Sequence, residues 1–468
     1  MIRLIKNEMY KLFHKKSTLI TLFVLFGFVV LVNFFYSSNN AQNFIYTDSN
    51  YLEELKQKVD GFDLDNGNMN EYASLCSSLE IQKYVEGKYN DWRVEFYYSK
   101  VSSIVEEYYQ ALYVMKDQSQ ADMLREKIDQ YVKRLEHEDW RFFTEKEILY
   151  LKDSLNTREI VTLGDFDTDV LKFKIELLEY RLDNNVSYEK SYLDTAIRTL
   201  ESTINGKKRY EEAKTEKEKE SFASDYARFM ENEYILKEKV DINNEQSLYG
   251  ILRNFLGEYL FLILVFVILI AGSMVSDEFS KGTIKSLLIL PYKRNQILLA
   301  KLITVLLMIP FVTLFLVVCE FIVGGLFFGY SSLSAPVVAY NFKLNGIEVM
   351  SLFKYFLLCF LGLSPMLILL ATLAFGLSTI ICSTAFAITI TFCGFIASSI
   401  INQFALFYKV KFLNYFVTTN WDLRYFIFGG SSPYEISMKQ SIIVCFIYFA
   451  IMVVVMFVVF KRKNIKNI

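Results

Sequence analysis

The chain has 468 residues, 53% of them hydrophobic, and a mean hydropathy of +0.25, which excludes an ordinary soluble enzyme and points to several membrane crossings. The net charge of −2 conceals a division: residues 38–246 carry 44 acidic and 29 basic side chains, and the rest of the chain carries 8 acidic and 21 basic. An acidic, water-exposed part and a basic, membrane-associated part are therefore joined in one polypeptide.

Residues 1–16 are basic, and the uncharged stretch from Ser17 to Tyr36 follows them. Its ~20 residues at ~1.5 Å each cross a hydrocarbon core of ~30 Å, so 17–37 is the first transmembrane helix. A cleaved signal peptide is the competing reading, but its apolar region is normally only ~7–15 residues.

From 38 to 247 the apolar residues become periodic. Leu124, Ile128, Tyr131 and Leu135 share a helical face, as do Leu171, Ile175, Leu178 and Leu182, and Leu193, Ile197, Leu200 and Ile204. No proline precedes Pro291, so this region is expected to be a helical bundle or a set of long, coiled-coil-like hairpins. Ser119 with Asp122, and Thr144 with Glu147, have the spacing of helix-capping pairs. Asn184, Asn185 and Ser187 mark a break and restart, and Tyr210 to Glu220 reads as a charged run on a solvated helix. The aromatic set Tyr84, Tyr89, Trp92, Tyr97, Tyr98, Tyr108, Tyr109 and Tyr113 either lines a peptide- or lipid-binding groove or packs between amphipathic helices. Packing is the commoner use.

The remaining apolar runs are Tyr259 to Val275, Leu302 to Phe328, Tyr355 to Phe375, Ala385 to Phe404 and Ile442 to Phe460. With the first helix they give six spans. The second lies within 248–275, a loop follows at 276–295, and the other four spans lie within 296–468. Ser378 to Thr384 is the short break between the fourth and fifth. Pro310 and Pro365 are candidate kinks, and Gly394 with Ser398 forms a small-xxx-small pair. Lys and Arg concentrate in three places: Arg3 to Lys16, Lys281 to Arg294, and Lys461 to Lys466. Six spans put all three on one side, the cytoplasm, and the acidic domain outside. The fold class is thus an all-α membrane protein with both termini cytoplasmic and a large helical extracellular domain between helices 1 and 2.

The loop from Val275 to Lys301 reads VSDEFSKGTIKSLLILPYKRNQILLAK. Asp277, Glu278 and Phe279 follow the second span, and Gly282-Thr283 permits close backbone approach and a helix start. Ile284, Leu287 and Leu288 form an apolar face that Pro291 ends. Lys293 and Arg294 can snorkel to head groups, and Lys301 lies inside the third span. By physics alone an ordinary interfacial connector explains this as well as any special role.

The order Glu278, Gly282-Thr283, Pro291, Arg294, Lys301 resembles the ABC-2 type transporter permeases, which carry this pattern between helices two and three. The resemblance implies a coupling helix at Asp277 to Leu288 that docks on a separate cytoplasmic ABC ATPase, which would bind the ATP and magnesium. It implies a second permease chain, identical or sibling. Residues 1–16 resemble the family's interfacial helix, with Ile2, Ile5, Met9 and Leu12 on one face and Lys6 and Lys11 away from it. Residues 405–432, with Phe407, Tyr408, Phe412, Tyr415 and Trp421, resemble its re-entrant or interfacial segment. The motif covers about 26 residues, and the long insertion after the first span departs from the many members that have a short loop there.

The chain has no phosphate-binding G-x-x-x-x-G-K-[ST] sequence. Its six cysteines show no metal spacing and only Cys76 lies in the insertion, so that domain has no internal disulfide. The two histidines, His14 and His137, exclude a histidine-rich metal site and a Ser-His-Asp hydrolase site in the membrane part. No cofactor, metal or nucleic acid is expected to bind. Glu320 is the one charge within a span that looks costly, and it reads equally as a pathway residue and as an interfacial anchor. Arg253 and Glu258 read as anchors.

The leading expectation is the permease subunit of an exporter for an amphiphile such as an antimicrobial peptide, a toxin or a lipid-like compound, in a plasma membrane. Sodium or drug efflux, a sensor or receptor with a ligand-binding outer domain, and a structural anchor are the alternatives. The richness in Lys, Asn, Ile, Tyr and Phe suggests a low-GC Gram-positive bacterium.

Overall fold

A computed structural model describes residues 1–41, 49–64, 67–86, 91–160, 165–189, 191–242, 247–283, 292–408, 410–430 and 432–462. These fall into two compact units. One combines Met1–Ser37 with Val240–Ile468; the other is Ser38–Lys239.

The first unit contains six helices long and apolar enough to cross a membrane: Lys16–Ser38, Leu260–Ser280, Arg294–Phe328, Leu352–Ile381, Thr384–Tyr408 and Met438–Arg462, called spans 1 to 6 below. Their helical conformation pairs backbone N–H and C=O groups within each segment, as a bilayer interior requires. Span 2 is the most enclosed: Ile263, Leu264, Phe266, Val267, Ile268 and Ala271 are all buried. Leu298, Val305, Met308, Val312 and Leu316 of span 3, and Leu363, Leu367, Leu370 and Ala374 of span 4, complete the same core.

Spans 3 and 4 continue through Pro310 and Pro365 as single helices. Spans 4 and 5 are separated only by Cys382 and Ser383. Cys382 takes the left-handed conformation (φ 57°) and its N–H returns to the Ser378 carbonyl, closing span 4. Gly394 faces open space, with no atom where a Cβ would lie. Of the Gly394–Ser398 pair, only Ser398 is buried against the described residues.

An all-α fold needs one amendment. Between spans 3 and 4, Val337–Asn341 and Gly346–Met350 form an antiparallel hairpin, with Val337 opposite Met350 and Asn341 opposite Gly346. Its β-branched residues and the Asn345-Gly346 pair, with Asn345 at φ 49°, are a hairpin signal. The Asn341 side chain accepts from the backbone N–H groups of Lys343 and Leu344, which fixes the turn.

The second unit is helical throughout its described residues. Its longer helices are Met69–Val85, Gln118–Glu136, Trp140–Ile160, Asp165–Asp183, Tyr192–Glu212 and Glu216–Glu238. The periodic faces named above supply the core: Leu124, Ile128 and Leu135 in one cluster, Ile197, Leu200 and Ile204 in another, Ile175 and Leu178 in a third. Most of the described aromatic residues pack as well. Tyr84 stacks on Tyr97 with ring centres 3.8 Å apart, and Trp92 and Tyr97 are buried, so no groove is needed to explain them. Tyr89 lies outside the described residues.

Several helix starts differ from the sequence reading. Asp117, not Ser119, caps Gln118–Glu136 by accepting from the Gln120 N–H. Thr144 lies inside a helix and bonds back to the Trp140 carbonyl. The run Tyr210 to Glu220 is broken after Glu212, and Thr215 with Glu218 forms the capping box of the next helix. The break at Asn184 and Asn185 is present, and the following helix starts at Tyr192 with Ser191 as its cap.

A buried ion pair holds this unit together. Arg181 and Asp194 are both fully buried and lie 2.7 Å apart. The Arg181 guanidinium also donates to the carbonyls of Val186 and Ser187 and stacks over Tyr188 at 3.8 Å.

Candidate functional site

The N-terminal helix Ile2–His14 packs on span 3 through Leu4, Glu8 and Leu12. Ile2 is exposed, and Glu8, unlike the other charged residues of this helix, is turned inward. The cause is Lys301, two turns into span 3 and only 2% exposed. A lone buried ammonium is prohibitively costly, and Glu8 supplies its countercharge at 2.6 Å.

Glu278 supplies a second carboxylate to the same ammonium at 2.7 Å. Lys11 lies 2.9 Å from Glu8 and 3.8 Å from Glu278. Two carboxylates and two ammonium groups thus neutralise one another. Burial alone would raise the Glu8 carboxyl, but Lys301 and then Lys11 outweigh it, and Glu8 is held below the ordinary carboxylate value.

Successive residues of a helical turn point about 100° apart, and Asp277 accordingly faces different neighbours from Glu278. It pairs with Lys15 at 2.6 Å and accepts from the Thr384 hydroxyl at 3.0 Å. The preceding Ser276 donates its backbone N–H to Ser378 at 3.0 Å, and its hydroxyl lies 2.6 Å from that of Thr384. Three consecutive residues therefore tie the end of span 2 to the N-terminal helix, to span 3, to the end of span 4 and to the start of span 5. A cavity of about 380 Å³ opens beside this joint, lined by Glu8, Lys11, Lys15, Asp277, Glu278 and Thr283, among others.

Of the other residues singled out from sequence, Phe279 is buried in the core of the spans. Gly282 has φ +68°, with no atom of the described residues within 4 Å of where a Cβ would lie, and its N–H returns to the Phe279 carbonyl. Thr283 is exposed, with its hydroxyl 3.4 Å from the Glu278 carbonyl. Lys293 and Arg294 are exposed where span 3 begins, and the Lys293 N–H donates to Gln296. Ile284, Leu287, Leu288 and Pro291 lie outside the described residues. Glu320 is apart from this joint, at a second buried polar cluster on span 3 with Asn33 and Tyr259. Residues 410–430 form short turns, with Phe412 and Tyr415 exposed and Trp421 buried.

The sequence reading missed Glu8, Lys15 and Thr384, as well as Asn33 and Tyr259. A signal existed for two of them. Glu8 is the one acidic residue among the first 37, and Asn33 the one amide in the uncharged stretch of span 1.

Among the described residues no group of three or more His, Cys, Asp or Glu side chains is placed to hold a metal. Residues 276–278 are thus fixed by ion pairs to the N-terminal segment and span 3 and by hydrogen bonds to spans 4 and 5.

By the length and composition of its helices, the chain is a mostly helical protein of the multi-span membrane class. It belongs to the family described as "Protein of unknown function (DUF2705)", which matches residues 220–466, more than half of the chain. It is also similar to the "Uncharacterized protein YhcI" of Bacillus subtilis (strain 168), at 29% identity over 203 residues. That similarity covers 43% of this chain and 64% of YhcI, less than two thirds of the relative's length. No solved structure matches the chain.

Proposed function

We propose that this chain is the membrane subunit of an ATP-driven exporter, with ATP hydrolysed by a separate cytoplasmic protein that docks on the loop after span 2. The observation that carries this reading is the Lys301–Glu8–Glu278 joint. A loop that receives force from a docked subunit has to be stiffly connected to the spans it moves, and Asp277 and Glu278, at the end of span 2 where the loop leaves it, connect its root to the N-terminal helix and to spans 3 and 5. An interfacial connector needs no such anchorage. Beyond the anchors, Gly282 and Thr283 are exposed and available to a docking surface. The order of Glu278, Gly282-Thr283, Pro291, Arg294 and Lys301 supports the same reading.

In this reading both termini and the loop face the cytoplasm, the acidic helical unit lies outside a plasma membrane, and a second permease chain completes the pathway. The cargo class that fits is an amphiphile, such as a peptide or lipid-like compound. The test is purification of the full-length protein from its native membrane. A Walker-motif ATPase should accompany it, and replacing Gly282 and Thr283 by bulky charged residues should release that ATPase or uncouple its hydrolysis. Retention of a coupled complex in the substituted protein would refute the docking assignment.

A further inference from the structure

Glu320 and Asn33 are both fully buried. Glu320 sits on span 3, eight residues before its end; Asn33 sits on span 1. The Asn33 amide donates to Glu320 Oε2 at 2.9 Å and also to the Val29 carbonyl at 2.9 Å. The Tyr259 hydroxyl, at the entry of span 2, donates to the same Oε2 at 2.5 Å. Every donor offered to this carboxyl therefore goes to one oxygen. Among the described residues the other oxygen, Oε1, has no hydrogen-bond partner, and neither does Asn33 Oδ1.

These two orphan acceptors lie on the same side of the pair. A Cβ built on Gly324, one turn beyond Glu320, would stand 2.5 Å from Glu320 Oε1 and 3.2 Å from Asn33 Oδ1. Two lone-pair-bearing oxygens facing one spot in an apolar interior are unfavourable. A single proton removes the conflict. Placed on Oε1, it gives that oxygen a hydrogen to donate toward the side where Asn33 Oδ1 lies, while the Asn33 amide donates to Oε2. Two donors on one oxygen and none on the other is the pattern of a neutral carboxyl, whose carbonyl oxygen accepts and whose hydroxyl donates.

We propose that Glu320 carries a proton at neutral pH and that, with Asn33 and Tyr259, it forms a proton-binding site at the junction of spans 1, 2 and 3. The surroundings fit a neutral acid. Among the described residues no Lys, Arg or His is paired with Glu320. The ionisable groups nearby are the thiol of Cys319, the adjacent residue, and Glu258, which precedes Tyr259 and accepts from Tyr36 at 3.0 Å. Span 1 carries no charge between Ser17 and Tyr36. The short helix whose Leu248 touches Gly324 also carries Arg253, but Arg253 lines a different cavity with Tyr355, Cys359 and Arg424. A hard divalent cation takes six or more oxygen ligands, whereas this pair offers two. Loss of the proton would leave a bare carboxylate between three helices, so occupancy of the site and the packing of these spans are linked. This inference is independent of the exporter reading.

The test is infrared spectroscopy of the full-length protein in lipid nanodiscs. A protonated-carboxyl C=O band should be present at pH 7 and absent from Glu320→Gln. In Asn33→Leu it should move to higher frequency, as a carboxyl that has lost its amide partner. Glu320→Gln should fold, because its amide places an N–H where the proton sits and a carbonyl where Oε2 sits. The Asn33→Leu shift is a readout that does not depend on that variant. Absence of a Glu320-dependent band at pH 7 would overturn the proposal. So would its replacement by carboxylate bands on adding sodium chloride, which would make this a monovalent-cation site.

Discussion

Lys301 and Glu8, 293 positions apart in the chain, meet at 2.6 Å in a buried ion pair. The contact fixes the N-terminal helix against span 3. Because Lys301 also holds Glu278 at 2.7 Å, one ammonium joins the N-terminal helix to the end of span 2. Removing either carboxylate leaves the other in place. Removing the lysine leaves both beside Lys11 alone.

Lys301→Met should therefore destabilise the protein more than either Glu8→Gln or Glu278→Gln. Breaking a buried ion pair from one side costs about 3–5 kcal/mol, and Lys11 offsets part of that here. Thermal unfolding in detergent measures it. The triple change Lys301→Met, Glu8→Gln, Glu278→Gln should recover much of the loss, since no uncompensated charge remains. A triple variant as unstable as Lys301→Met would show that packing, not charge, governs the joint.

The Glu8 carboxyl is held below its ordinary value, so its contribution has a defined pH window. It is fully present above the unfolded glutamate value of about 4.3 and is lost as pH falls through the lower folded value. The melting-temperature difference between wild type and Glu8→Gln should be constant from pH 6 to 8 and shrink below about pH 4. A difference that grows on acidification would contradict the assignment.

Gly282 occupies φ +68°, with no atom of the described residues near its missing Cβ, so among these it is the backbone that resists substitution. Asn tolerates the left-handed region; a β-branched residue does not. Gly282→Val should cost about 1–2 kcal/mol locally and lower the amount of ATPase recovered with the protein, while Gly282→Asn should retain it. Equal losses in both variants would mean that the side chain, not the turn, disrupts docking.

In the acidic unit, Arg181 is bound by Asp194, two carbonyls and the Tyr188 ring. Lys cannot reproduce the planar fork or the stacking. Arg181→Lys should make the 184–191 connection a new site of limited proteolysis in the full-length protein, and Arg181→Ala should do so more strongly. Unchanged protection in both would remove Arg181 from the set that orders this unit.

The six spans were legible because ~20 apolar residues in sequence are visible without any tertiary information. The helical faces Leu124 to Leu135 and Leu193 to Ile204 were legible for the same local reason. Helix starts were less so. Asp117 and Ser119 are both good caps, and tertiary packing decides between them. The hairpin at Val337–Met350 was hidden by length, since five-residue strands barely rise above apolar background. The joint was half legible. Asp277, Glu278 and Lys301 are close in sequence, but Glu8, Lys15 and Thr384 reach them only through the fold. The inward turn of Glu8 has no local signal beyond its being an isolated acid, because Lys301, which it meets, is 293 positions away.

The most direct test of the docking claim is photo-crosslinking from position 283 in native membranes. Thr283 is exposed just beyond the anchored residues, and a crosslinker there should capture a soluble ATPase bearing the phosphate-binding loop that this chain lacks. The yield should fall when Lys301→Met loosens the joint. Capture of lipid alone, with the chain folded and in the membrane, would contradict the account.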